Sequence, residues 1–310
     1  MRLARGIDEF RPPAGRAVVA TIGNFDGVHR GHQRIMARVA ERAGALGGLP
    51  LVVTFEPHPL RILAPDRAPR LLMTREQKLA ALEAAGIEAV VILPFDRDLA
   101  TMPAEVFARD LLGGRLGVRE LYIGPDFRFG RGRAGDLELL RRIGRAVGFS
   151  ADAVPPVMDG GERISASRIR RLLSEGRASE AARLLGRPFA LVGTVVHGEG
   201  RGRPLLVPTA NLAPENEFLP ARGVYVTQAA WAGREAFGLT NVGTRPTFGD
   251  RRLVVETFLP GLDEDLYGRR LELRFLDRLR DERRFDTAAD LRRQIESDLE
   301  SFEAWRRGRG

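Results

Sequence analysis

Hydrophobic and polar positions over residues 16–155 alternate between two patterns. Short apolar runs rich in β-branched residues are followed by longer stretches with apolar residues at helical spacing, such as HQRIMARVAERAGAL. The first pattern predicts buried strands, and the second predicts amphipathic helices. Because strands that alternate with helices of this length form parallel sheets covered by helices, we predict an α/β domain over residues 1–186. The predicted strands are RAVVATIG, LPLVVTF, EAVVILPF, RELYIG and SADAVPP.

The pattern changes at Arg187-Pro188. Two short helical stretches, SASRIRRLLSEG and ASEAARLLG, precede the change, and β-rich runs separated by turn residues follow it. Such runs predict an antiparallel barrel or sandwich over residues 187–310. The tail DTAADLRRQIESDLESFEAWRR has helical periodicity, which predicts a terminal amphipathic helix. The sequence therefore predicts a domain boundary near residue 186.

The composition excludes several classes of protein. The chain has no cysteine, which excludes disulfides and thiolate metal sites, and no apolar run approaches the ~18 residues of a membrane span. Its start, MRLARGIDEFRPP, lacks the apolar core of a signal peptide. We therefore expect a cytoplasmic protein with no membrane partner.

The net charge of +8 comes almost entirely from arginine, because only Lys78 among the 49 basic residues is a lysine. A genomic bias toward arginine accounts for this ratio. No P-loop lysine motif occurs, so any phosphate must be bound by arginine, histidine, backbone N–H groups or a metal. The arginines are scattered among acidic residues and form no basic stripe, which argues against a nucleic-acid partner.

Two of the four histidines lie in GNFDGVHRGH, directly after the first predicted strand. Glycines at 23, 27 and 31 let the backbone turn tightly and approach a ligand. A helix that begins near Gly31 points its free N–H groups at this loop, which favours an anion. His29 and His32, at i and i+3, would share one face and could donate hydrogen bonds to a polyphosphate. The alternatives are a metal pair without its third ligand and two structural histidines.

GNFDGVHRGH resembles the H-x-G-H signature of nucleotidylyltransferases. In this longer form it is similar to the adenylyltransferase half of the bacterial bifunctional riboflavin kinase/FMN adenylyltransferases, or FAD synthetases. Three further motifs follow in that family's order: TFEPHP (54–59), IGPDFRFGRGRAGD (123–136) and ISASRIRRLL (164–173). The resemblance implies a Rossmann-like nucleotidylyltransferase domain that transfers the adenylyl group of ATP to FMN.

The resemblance assigns His29 and His32 to the ATP phosphates, with Ser167 and Arg170 closing over them. A hydroxyl and a guanidinium at the start of a helix form a phosphate clamp that needs no lysine. The chain departs from the family at Ala166-Ser167, where the family has Ser-Thr, although one hydroxyl survives. A solvated arginine face on an amphipathic helix is the alternative. The loop residues expected at the nucleotide are Gly23, Asn24, Phe25, Asp26, Gly27 and Gly31.

The segment DFRFG places Phe127 and Phe129 near Asp126, after a predicted strand. By resemblance, these residues line the flavin and adenine pockets, where an aromatic face can stack on a planar ring. A place in the core is the alternative for the phenylalanines. His58, which lies between two prolines, either has a structural role or reaches the flavin phosphate.

The segment VVHGEGRGRPLLVPTANL opens the second predicted domain. Its PTAN resembles the signature of riboflavin kinases, which implies that Thr209 and Asn211 bind Mg²⁺ together with the ATP phosphates. Oxygen ligands suit this hard cation. Gly198, Gly202 and Arg203 would belong to a flap that covers the phosphates, with a simple hairpin turn as the alternative.

Glu256, in VETF, is by resemblance the general base that takes the proton of the riboflavin 5′-hydroxyl. A glutamate in a predicted strand is otherwise a solvent-facing residue. Two departures concern this half of the chain. Leu206-Val207 stand where the family has glycine and an apolar residue, and Phe258 stands where it often has histidine. A bulky residue in place of glycine could block a close backbone approach.

The motifs together predict two consecutive reactions. An antiparallel β-barrel would phosphorylate riboflavin with ATP and Mg²⁺, and the α/β domain would convert FMN and ATP to FAD and pyrophosphate. The partners are these small molecules, and the sequence makes no prediction of the oligomeric state. The rivals are an adenylyltransferase whose kinase half is impaired by Leu206-Val207, a flavin- or RNA-binding regulator without turnover, and a first domain that uses another substrate such as CTP. The full set of phosphate-site residues argues against the regulator, and the attached PTAN domain argues against the other substrate.

Overall fold

The computed structural model describes residues 1–197, 209–246, 251–283 and 285–308. Its contacts divide the chain into a first unit, Met1–Arg70 with Arg75–Ser165, and a second unit, Leu71–Thr74 with Ala166–Gly310. The two short helices that precede residue 186 group with the second unit, because they pack mainly on each other and on its strands. The division by contacts thus lies earlier in the chain than the predicted domain boundary, which stays a prediction.

The strands of the first unit's sheet are β1 Arg2–Arg5, β2 Val18–Ile22, β3 Leu49–Glu56, β4 Ala89–Pro94, β5 Val118–Ile123 and β6 Ser150–Ala153. They pair in parallel in the order β1-β4-β3-β2-β5-β6. Strands β2 to β6 form at the apolar runs, and β2 is buried along its whole length. The sequence pattern does not predict β1, because its four residues contain no apolar run.

Helices cover this sheet where the periodic stretches predict them. The helix Leu137–Val147 shows both ends clearly: the Asp136 carboxylate accepts a hydrogen bond from Leu139 N–H, and Gly148 ends the helix in the left-handed region. The helices of the first unit are α1 Arg30–Ala45, α2 Pro59–Leu63, α3 Arg75–Ala84, α4 Arg97–Thr101, α5 Ala104–Val106 with π-helical turns over Phe107–Arg115, and α6 Leu137–Val147. A small hairpin follows, formed by β7 Met158–Asp159 and β8 Glu162–Arg163.

The strand order creates a switch point in the sheet. Strand β2 pairs with β3 on one side and with β5 on the other, and the chain builds outward in both directions from β2. Open α/β sheets bind ligands beyond the carboxyl ends of the strands at such a point. The histidine turn follows β2 and the DFRFG segment follows β5, so both leave the sheet at these neighbouring strand ends.

The strands of the second unit are β9 Phe189–Val196, β10 Thr209–Pro214, β11 Gly223–Trp231, β12 Arg234–Pro246, β13 Arg251–Phe258 and β14 Arg270–Arg280. They close into an antiparallel barrel in the order β10-β13-β12-β11-β14-β9, which confirms the barrel and excludes the sandwich. Its helices are α7 Ala166–Ser174, α8 Ala178–Leu185 and α9 Ala288–Arg307. The predicted terminal helix is therefore confirmed. Phe302 of α9 packs on Val224, Val226 and Leu239 at the outer face of the barrel.

Candidate functional site

The turn after β2 has an unusual backbone. Gly27 has φ of 80°, and two residues with side chains, Phe25 and Val28, also have positive φ, of 50° and 39°. A left-handed conformation costs roughly 1–3 kcal/mol at such residues and is concentrated at ligand sites. Phe25 and Asp26 are nevertheless buried. The packing around this turn therefore holds a conformation that the local sequence disfavours.

His29 caps the helix that follows the turn. Its Nδ1 accepts a hydrogen bond from the backbone N–H of His32 at 3.3 Å, which satisfies one of the free donors at the start of α1. Because Nδ1 accepts, the proton of the neutral ring lies on Nε2, which is a donor. A Cβ at Gly31 would lie 3.1 Å from this imidazole, so glycine leaves space for the ring.

His32 stacks on His29, with 3.6 Å between the ring centroids and 19° between the ring planes. The predicted shared face of this pair is therefore confirmed. The edge of Phe25 lies against His32 at 5.2 Å. Burial lowers the pKa of His32 well below its ordinary value of 6.5, and the charges of His29 and Arg163 lower it further. The ring is therefore neutral at pH 7.

Nδ1 of His32 is buried without a hydrogen-bond partner among the described residues. A buried polar atom without a partner costs free energy unless a ligand or water satisfies it. The described part of the chain also contains no group of three or more histidine, aspartate and glutamate side chains that could hold a metal. Nδ1 of His32 is therefore a candidate contact for a bound ligand.

Arg163 is a candidate that sequence reasoning missed. It lies in β8, ion-pairs with Asp126 in the loop after β5, and acts electrostatically on His32. Its guanidinium also approaches Gly124, where a Cβ would lie 3.7 Å from Nη2. The available signal was an arginine placed directly before the ISASRIR motif. The fold therefore brings a positive charge from a distant segment to the histidine pair.

The two phenylalanines of DFRFG differ in exposure. Phe129 is 7% exposed and packs in the core, with its centroid 5.5 Å from that of Phe107. Phe127 stacks on Phe129 at 5.7 Å and is only partly buried. Phe127 therefore has the more accessible ring. The assignment of Asp126, Phe127 and Phe129 to flavin and adenine pockets stays a prediction.

His58 has a structural role in addition to any contact with a ligand. Its Nδ1 accepts a hydrogen bond from Leu60 N–H at 3.2 Å and caps α2, while its Nε2 lies 3.1 Å from Nδ2 of Asn24. The ring thus joins the segment after β3 to the turn after β2. Whether it also reaches a flavin phosphate stays a prediction.

Ser167 and Arg170 belong to α7 in the second unit. They lie at i and i+3 and therefore share a face of that helix. Ser167 is exposed, and Arg170 is half-buried. Their predicted role at the ATP phosphates stays a prediction.

The barrel register places three polar residues side by side. Asn211 in β10 pairs with Glu256 in β13, and Glu256 pairs with Asn241 in β12. Directly opposed residues point to the same face of an antiparallel sheet. Their neighbours Val255 and Val242 are buried in the barrel, so this polar row lies on the outer face. Asn241 is a second candidate that sequence reasoning missed, although it lies in the NVGTRPTF motif.

Thr209 and Asn211 lie on the same face of β10 as this row, because they are two residues apart. Their side-chain oxygens suit Mg²⁺, which proteins hold with a few oxygen donors completed by substrate phosphates. Thr209 also lines a pocket of about 210 Å³, together with Val195, Thr257, Leu262, Asp265 and Tyr267. His197 stacks on Tyr267 with centroids 3.9 Å apart. The donor set is thus compatible with a magnesium nucleotide.

Glu282 adds a carboxylate near this row. Its Oε1 accepts a hydrogen bond from Thr244 N–H at 2.8 Å. A Cβ at Gly243 would lie 2.5 Å from this oxygen and 3.1 Å from Asn241 Nδ2, so the close approach requires glycine. The predicted flap residues Gly198, Gly202 and Arg203 lie outside the described residues, as do Leu206 and Val207.

Comparison with known proteins gives two family matches. The model of the FAD synthetase family matches residues 12–168, and that of the riboflavin kinase family matches residues 185–306. The bifunctional riboflavin kinase/FMN adenylyltransferase of Escherichia coli (strain K12) is 39% identical over 300 residues, 96% of both chains. The enzyme of the same name from Pseudomonas fluorescens is 40% identical over 306 residues, 98% of this chain and 97% of its own.

Among solved structures, that of a macrolide-efflux protein from Streptococcus pneumoniae is 29% identical to this chain. It covers 98% of each chain with a TM-score of 0.87. The two proteins therefore share their fold along almost the whole length. Within the described ranges, no helix is both long enough and apolar enough to cross a membrane.

Proposed function

Because this chain belongs to the family of bifunctional riboflavin kinases/FMN adenylyltransferases, we propose that it makes FAD in two ATP-dependent steps. It is a transferase. Its kinase half phosphorylates riboflavin to FMN, and its adenylyltransferase half joins FMN to the adenylyl group of a second ATP. The first unit carries the adenylyl transfer, and the barrel carries the phosphorylation.

In adenylyl transfer, a phosphate oxygen of FMN attacks the α-phosphorus of ATP. A new P–O bond forms, the bond from the α-phosphorus to the bridging oxygen breaks, and pyrophosphate leaves. The nucleophile is the substrate's own phosphate, so no covalent enzyme intermediate is needed. Negative charge develops on the departing oxygens, and donors fixed in advance stabilise that charge without reorganising.

The histidine pair and Arg163 supply those donors in our proposal. His29 accepts the cap hydrogen bond at Nδ1 and donates to the phosphates through Nε2–H, and stacking holds His32 in place. Arg163 adds a guanidinium near them. The free N–H groups at the start of α1 favour the same anion. The family resemblance also assigns Ser167 and Arg170 to the ATP phosphates, and this assignment stays a prediction.

In the kinase half, Glu256 takes the proton of the riboflavin 5′-hydroxyl. The alkoxide oxygen attacks the γ-phosphorus of ATP, and ADP leaves. Phosphoryl transfer depends mainly on positioning and charge stabilisation, so a carboxylate base next to a held alcohol is sufficient. Asn211 and Asn241, which flank Glu256, would orient this carboxylate by hydrogen bonds.

Thr209 and Asn211 would hold Mg²⁺, which, when bound with ATP, neutralises phosphate charge. The donor chemistry supports the assignment, because side-chain oxygens are the ligands that Mg²⁺ takes in proteins together with substrate phosphates. The cytoplasmic location also stays a prediction.

The observation that carries the proposal is that each half of one chain matches a different family and presents polar residues suited to that family's chemistry. The test incubates purified protein with riboflavin, ATP and Mg²⁺ and follows flavins by chromatography, beside a reaction started from FMN. FAD from both starts is expected. If FAD forms only in the reaction started from FMN, the chain does not phosphorylate riboflavin. If FAD forms in neither reaction, the proposal is overturned.

A further inference from the structure

Lys78 is the only lysine among 49 basic residues, and it lies beside the turn that carries the histidine pair. Helix α3, which bears it, packs against the turn Asp26–Val28. Its ammonium donates to the Thr54 hydroxyl at 3.4 Å, and that hydroxyl donates to the backbone carbonyl of Asn24, also at 3.4 Å. Thr54 is fully buried. A hydrogen-bonded path therefore connects Lys78 to the start of the turn.

Two carboxylates act on this ammonium. Burial lowers the pKa of Lys78, while Glu56 and Asp26 act in the opposite direction. Glu56 is paired with Arg75, whose Nε lies 3.1 Å from Glu56 Oε1, and it has access to solvent. Asp26 is only 7% exposed. A carboxylate with so little solvent depends on charges within the protein for compensation.

We propose that Lys78 is a positioning residue for adenylyl transfer that compensates the Asp26 charge and holds the turn that leads to His29 and His32. The inference rests on the function proposed for the first unit. An uncompensated carboxylate three residues before the histidine cap would repel the phosphates of ATP. Compensation by Lys78 keeps this end of the sheet attractive to anions.

The identity of the side chain follows from the same geometry. An ammonium is a compact point charge, whereas a guanidinium is a wider planar group with five donors to satisfy. The smaller ammonium is sufficient to donate a hydrogen bond to the buried hydroxyl of Thr54. We therefore expect lysine to serve better than arginine at position 78.

The test uses the full chain and four variants: Lys78→Met, Lys78→Arg, Asp26→Asn and the double variant Lys78→Met/Asp26→Asn. FAD formation from FMN is measured as separate kcat and KM for ATP, the far-UV circular dichroism of each variant reports folding, and riboflavin phosphorylation by the same preparation is the control for the barrel. Lys78→Met is expected to lower kcat/KM for ATP by about tenfold or more, mainly through KM. Lys78→Arg is expected to restore only part of this loss, and riboflavin phosphorylation should stay unchanged.

The double variant tests the route through Asp26. If Lys78 compensates this charge, Asp26→Asn costs less in the Lys78→Met background than in the wild type, so the effects are not additive. Additive effects, a fall in kcat alone, or full activity of Lys78→Arg would each overturn the inference. A wild-type chain that makes no FAD from FMN and ATP would instead overturn the proposed function.

Discussion

The imidazole rings of His29 and His32 stack at 3.6 Å between centroids, at the first turn of α1. Stacking at this distance is compatible with neutral rings and costly for two charged ones, because like charges repel strongly in a partly buried site. The pair thus offers oriented N–H donors to a polyphosphate.

Replacing His32 with alanine should lower kcat for FAD formation about 100-fold or more, because it removes one preorganised donor. Riboflavin phosphorylation should be unchanged, since it takes place in the barrel. Arg34→Ala, at an exposed position of the same helix, is the matched control. The assay is flavin chromatography from FMN and ATP. Unchanged FAD synthesis in His32→Ala would show that the site is assigned wrongly.

The lowered pKa of His32 makes stability depend on pH. The unfolded chain binds a proton at this residue below about pH 6.5, and the folded chain does not until a lower pH is reached. Stability should therefore rise with pH in this window and be lost as the pH falls below 6.5. Urea midpoints at pH 7.5 and 5.5 should differ more for the wild type than for His32→Asn. Equal differences would contradict the shift.

Replacing Arg163 with glutamine should raise the pKa of His32, because the positive charge of Arg163 disfavours a second positive charge nearby. The pKa should still lie below 6.5, since burial is the largest cause of its lowering. NMR titration of the imidazole resonances measures it, and four histidines make assignment simple. The same variant should form FAD more slowly. An unchanged pKa of His32 would show that Arg163 does not act on the histidine pair.

Replacing Glu256 with glutamine should lower kcat for FMN formation by about 10²- to 10⁴-fold, as expected for loss of a general base. FAD formation from supplied FMN should be retained. Glu303→Gln, at an exposed position on α9, is the matched control. Initial rates of riboflavin phosphorylation across pH check the result. A variant with wild-type rates would assign the base elsewhere.

The ion pair between Arg280 and Asp298 joins the barrel to α9. Arg280 Nε lies 2.7 Å from Oδ1 and Nη2 lies 2.6 Å from Oδ2, and Asp298 is buried. Asp298→Ala removes the carboxylate that accepts two hydrogen bonds from the partly buried guanidinium of Arg280, which should cost about 2 kcal/mol of unfolding free energy. Trp231 and Trp305, both in the second unit, report this by fluorescence. Glu300→Ala, exposed on the same helix, should have little effect.

Local periodicity by itself determines much of this protein. Strands β2 to β6 follow from apolar runs, and the helices between them follow from 3.6-residue spacing, because both patterns depend on neighbours along the chain. The i, i+3 spacing likewise predicts a shared face for His29 and His32, although His29 precedes the helix as its cap. The resemblance of four motifs supplied the chemistry that these patterns lack.

Only the tertiary structure brought distant residues together. It placed Arg163 near His32, aligned Asn211 with Glu256 and Asn241, and buried Phe129 while leaving Phe127 partly accessible. It also added β1 beside β4, although four residues carry no pattern of their own. These relationships depend on strand register and on packing between segments far apart in the chain. Local sequence patterns do not predict these relationships, because contacts between distant segments contribute to stability only when the whole fold has formed.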